Sequence, residues 1–198
     1  MGSMTAVPPV DARDAVGSPW LAPVMRAVPA LAVGLSITFI ADHSPALGLL
    51  MLGIFGLATA LVLVLTSLRM RRDEPLRPLH RVLALITGGA GLLALLAVAT
   101  TTTAGLGILL LLVGGYAVLA GGYELVWGIR HRHRSALARD GAIIGAGTLA
   151  LAVVLAFVGD PVSAVGFFGA YGVVLGVFLV IAGFSVRWSA QPKEHPAT

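Results

Sequence analysis

Residues 105–130 read GLGILLLLVGGYAVLAGGYELVWGIR, and from Gly105 to Gly128 they are apolar except at Glu124. About twenty-four residues at 1.5 Å rise cover roughly 36 Å, enough to cross a hydrocarbon core of about 30 Å, so the stretch reads as a membrane-spanning helix. Its small residues are ordered. Gly114, Ala117, Gly121 and Gly128 fall at spacings of three, four and seven, which places them on one stripe of a helix, and Glu124 fills the remaining slot. In lipid, a stripe of small residues lets another helix backbone approach closely. The acid is therefore expected to face protein and not acyl chains.

Outward from this stretch the rest of the chain has the same texture. Of 198 residues, 58% are hydrophobic and 11% charged. Soluble domains carry about 25% charged residues, so this composition fits a protein whose surface meets lipid. There is no cysteine, which excludes disulfides and thiolate chemistry. The net charge of +4 does not point to nucleic acid, because the cations are gathered at the ends of apolar spans. Six such spans are expected, at about 24–40, 46–68, 82–99, 105–129, 141–158 and 162–186, flanked by a disordered tail over 1–23 and a short tail over 188–198.

The connections alternate in character. Those at 41–45, 100–104 and 159–161 contain no Lys or Arg, whereas 69–81 and 130–140 hold nine arginines between them. Counting by alternation, all thirteen cations lie on one side. The positive-inside rule makes that side cytoplasmic, with both termini there, in a multi-pass membrane protein. Trp127 and Trp188 are expected at the same interface, where indole is favoured.

The chain also repeats. The stripe recurs as Gly53, Gly56, Ala60, Leu63, Ser67 in the second span and as Gly169, Gly172, Gly176, Leu179, Gly183 in the sixth, at offsets of 61 and 55 residues from the fourth. In the odd spans a small-x-small element recurs at 34–36, 89–91 and 145–147. The expected fold is all-α: six transmembrane helices as three tandem hairpins, about 24–68, 82–129 and 141–186, related by an axis along the membrane normal. Helix packing is assigned to Gly53, Gly56, Gly114, Ala117, Gly121, Gly169, Gly172 and Gly176.

Hairpins of this form, a small-rich helix, a short outer turn and a G-x2-G-x3-G helix ending in a basic residue, resemble the HdeD-like acid-resistance membrane proteins. The stretches that carry the resemblance are GGAGLLALLAVATTTTAGLGILLLLVGGYAVLAGGYELVWGIR and GAIIGAGTLALAVVLAFVGDPVSAVGFFGAYGVVLGVFLVIAGFSVR, and it extends over about residues 24–187. The resemblance implies a six-span bacterial inner-membrane protein with a role in acid or stress response. The outer-turn proline is present at Pro45 and Pro161 and missing from the middle turn, and the resemblance supplies no functional residue.

Glu124 is the residue most open to a function, since intramembrane carboxylates are costly and mark sites by default. It is expected to need a partner near the basic end, from Arg81, His80 or the hydroxyl of Tyr123, either as a pin between two helices or as a proton- or ligand-sensitive site. Its counterparts in the other repeats, Leu63 and Leu179, are apolar, which disfavours a conducted path along the repeat axis. Arg69, Arg71, Arg72, Arg130, Arg132 and Arg134 are candidates for anionic lipid headgroups. Ser44-Pro45 and Asp160-Pro161 read as helix caps, with Thr100–Thr103 offering hydroxyls to the fourth span. His131 and His133 stand among three arginines that repel a cation, so neither a metal nor a cofactor is implied. The expectation is a non-enzymatic membrane protein acting through lipid, a membrane-protein partner or a second copy of itself. A small channel or transporter using Glu124 is the alternative.

Overall fold

In the computed structural model the described residues are 20–100, 105–133 and 136–189. Most of both expected tails, the TTTT turn's residues 101–103 and Arg134 lie outside them. The described chain forms six helices and no strand: α1 (Leu21–Phe39), α2 (Pro45–Arg69), α3 (Leu76–Thr100), α4 (Leu106–His131), α5 (Ala136–Leu155) and α6 (Pro161–Ser189). Each is long and apolar enough to cross a membrane, with mean hydropathy over its best window between 1.5 and 2.5. The described cations gather at one end of the bundle, hereafter the basic end, because successive helices run antiparallel.

The boundaries depart from the expected spans where a polar turn continues a helix. The third helix begins at Leu76, six residues early, because LRPLHR forms its first turns, where Pro78 lacks only a donor that would be unsatisfied anyway. The first begins at Leu21, which places Pro29 in the helix interior. At the opposite end Ser44 caps α2 as expected, its hydroxyl accepting from Leu47 N at 3.2 Å. Asp160 does the same for α6, its carboxylate accepting from Ser163 N at 2.8 Å, and these hydrogen bonds hold the carboxyl below the usual carboxylate range. The N-cap of α4 is Gly105, with no side-chain bond, and the threonines expected to serve it at 101–103 lie outside the described residues.

The closest packing runs between the hairpins: α2 lies against α3, α4 against α5, and α6 returns to close on α1. The glycines explain this. A Cβ on Gly91 would sit 2.9 Å from Leu57 N and 3.0 Å from Gly53 O, so α2 and α3 touch backbone to backbone. A Cβ on Gly34 would stand in the same relation to the equivalent atoms one repeat-pair on, 2.6 Å from Val173 N and 2.8 Å from Gly169 O. In the third seam the close glycine of the odd helix sits elsewhere: a Cβ on Gly145 would lie 2.7 Å from Gly121 O, seven residues along α4 from Gly114, the position equivalent to Gly53 and Gly169. Gly53, Gly56, Gly121, Gly169, Gly172 and Gly176 are thus packing residues, and Ala117 is fully buried. Gly114 is not: space around it is open.

The even helices meet at the centre. There Phe55 packs edge-on to Tyr116 (ring centroids 5.7 Å apart) and to Phe168 (5.9 Å), closing the bundle axis with aromatic side chains. Large apolar residues such as Phe39, Leu85, Leu111 and Val174 project outward, as a lipid-facing surface requires.

Candidate functional site: a buried ion pair at the basic end

Glu124 stands about two turns before the end of α4, roughly 10 Å inside the bundle by helix rise. Its ion partner comes from α1. Arg26 is five residues into its helix, and α1 runs antiparallel to α4. The two side chains meet as a fork: Arg26 Nη1 donates to Glu124 Oε1 at 2.6 Å and Nη2 to Oε2 at 2.9 Å. Both residues are buried, at 8% and 2% exposure. Desolvating two ions costs several kcal/mol each, and only a geometry of this kind, charge-assisted and bidentate, offsets it.

The partners expected for Glu124 are therefore corrected. Arg81 is exposed at the surface of α3, and Tyr123 is half-buried on the neighbouring face of α4, so neither replaces the guanidinium on the carboxylate. His80 is buried but turned to α2, with Nδ1 3.1 Å from Thr66 Oγ1. It shares with the ion pair a small cavity of about 50 Å³, whose other polar wall is Asp140 and whose apolar walls include Trp127 and Leu179. Five helices contribute to it, all except α2. A volume of that order holds a few waters and lies well below the roughly 300 Å³ at which organic ligand pockets begin. Arg26 Nε, buried beside this cavity, has no hydrogen-bond partner.

Above the ion pair a second polar group crosses the core. Thr148 donates to the Ile144 carbonyl at 2.8 Å, so the Tyr171 hydroxyl donates to Thr148 Oγ1, also at 2.8 Å, and accepts from Tyr116 at 3.3 Å. Phe55, Tyr116 and Tyr171 are one position repeated at the offsets of 61 and 55, a regularity legible in the sequence once the stripes are aligned. No family model matches this chain, and neither a curated protein nor a solved structure does.

The remaining candidates sit at the surface of the basic end. Arg69, Arg71, Arg72, Arg130 and Arg132 are all exposed, and Arg134 lies outside the described residues. Arg71 pairs loosely with Asp73 at 3.6 Å. His133 accepts from Arg132 Nε at 3.0 Å, and His131 lies 2.9 Å from the Trp127 carbonyl with its ring stacked on that indole. Trp127 is buried against the bundle, whereas Trp188 is 69% exposed. Trp20 lies under the Arg187 guanidinium, 5.1 Å from its ring centroid.

The signal for Arg26 was present in the sequence. It is the one cation lying inside the expected 24–40 span, at the depth of the one acid in 105–128. Arg26 also fits the one-sided charge pattern, and its helix is joined in sequence to α2 and not to α4.

Proposed function

We propose that this is a non-enzymatic protein of the bacterial inner membrane, with its basic end cytoplasmic, in which the Arg26–Glu124 pair is a clamp joining the first helix to the fourth. The observation that carries the reading is that both carboxylate oxygens of Glu124 are engaged by a single guanidinium inside a cavity of only about 50 Å³. A transport site needs polar groups left for a substrate or an interrupted helix near the midplane. Here the midplane is filled by Phe55, Tyr116 and Phe168. The resemblance to HdeD-like proteins suggests that the bundle serves acid or stress response through lipid or protein partners, and the exposed arginines of the basic end suit anionic headgroups.

The test is a flux measurement on the full chain in proteoliposomes under an imposed pH gradient, with Glu124→Gln beside it. The clamp reading expects no protein-dependent proton or ion flux. Flux that Glu124→Gln abolishes would replace it with the transporter reading. For the stress role, cells producing the chain should survive acid challenge better than cells without it.

A further inference from the structure

Of the looser seams between neighbouring helices, the one between α5 and α6 contains an apolar crevice of about 330 Å³. The geometry points to this crevice as a binding groove for one acyl chain of a bilayer phospholipid from the leaflet opposite the basic end. The groove opens where small side chains line both walls, Gly147 and Ala150 on α5 and Ala170 on α6. Its ends are marked by Ile143 with Phe178 and by Val154 with Phe167. The one polar side chain along it, Tyr171, turns its hydroxyl inward to Thr148 and Tyr116, so the groove itself is dry.

Dimensions choose the occupant. From Ile143 to Val154 the helix rises about 16 Å, close to the roughly 15 Å depth of one leaflet's hydrocarbon. The volume of about 330 Å³ spread over that length is a cross-section of about 20 Å². That is the section of a single hydrocarbon chain. A helix some 10 Å across needs roughly 80 Å², so a helix does not fit within it. Position chooses the leaflet. Val154 is one residue from the end of α5 away from the basic end, while Ile143 is seven residues from Ala136 at the basic end. The headgroup therefore lies beside Val158, Gly159 and Asp160, with no described cation there, and an anionic headgroup is not selected.

The experiment is native mass spectrometry of the full chain released from mild detergent. Gly147→Phe fills the groove from α5; open space surrounds this glycine, so a larger side chain enters without meeting backbone. Ala170→Phe fills it from α6 and keeps the test decisive if the first variant fails to fold. Gly89→Phe, on the exposed face of α3 with open space around it, is the control. The expected result is one retained phospholipid per wild-type chain and per Gly89→Phe chain, with retention reduced at least tenfold in either groove variant at unchanged helical content. Wild-type chains that keep no lipid would overturn the proposal. So would folded groove variants that keep it as the wild type does, a retained mass that is a free fatty acid, or a dimer that the groove variants dissociate.

Discussion

Removing either charge of the Arg26–Glu124 pair should destabilise the bundle strongly, and removing both should not. The fork spans 2.6 and 2.9 Å between side chains that are almost wholly buried. Arg26→Leu leaves a carboxylate, and Glu124→Leu a guanidinium, without a counter-ion in a desolvated cavity. A broken buried pair of this kind costs about 3–5 kcal/mol, a loss of at least a hundredfold in the folding equilibrium constant. In the double variant no charge is stranded, and leucine already occupies the equivalent buried positions at Leu63 and Leu179. The double variant should therefore fall within about 1–2 kcal/mol of wild type, on either side. The assay is reversible unfolding in mixed micelles, followed by far-ultraviolet circular dichroism, across the four proteins of a double-mutant cycle. A coupling of about 3 kcal/mol or more is expected. Single costs that add in the double variant, or single costs below about 1 kcal/mol, would refute the clamp. Arg26→Lys tests the geometry separately: a point charge cannot reproduce the fork, so part of the loss should remain.

Gly34→Leu and Gly121→Leu should each lower the unfolding midpoint markedly, since a Cβ already lands 2.6 Å from Val173 N and 2.9 Å from Gly145 O. Gly114→Leu on the same stripe, and a change at the exposed Val118, should do little. Single cysteines at Asp42 and Arg132 should label from opposite faces of sealed vesicles, Arg132 from the cytoplasmic one, and labelling from a shared face would overturn the six-span arrangement. The Asp160 cap makes a small pH-dependent contribution. Its folded-state pKa lies below the unfolded one, so the contribution is present above the usual carboxylate range and disappears as pH falls through the depressed value. Melts of wild type and Asp160→Asn should accordingly differ at neutral pH and converge in acid.

The number of helices, their alternation and the gathering of cations at one end were legible in the sequence, because each depends on local quantities: length of apolar run, loop charge, and period of small residues. So was the burial of Glu124, since a side chain on a stripe of small residues follows its helix face wherever that face packs. The partner was not legible. Arg26 and Glu124 are 98 residues apart, and they meet because α6 closes back on α1, a contact that no local pattern of either segment specifies. The same closure places the tightest seams between hairpins and not within them. Gly114 stands in open space although its sequence setting matches that of Gly53 and Gly169. A repeated stripe fixes which face of a helix can be approached closely. Register along that face is decided by the sum of contacts around the closed ring, and only the tertiary structure carries that sum.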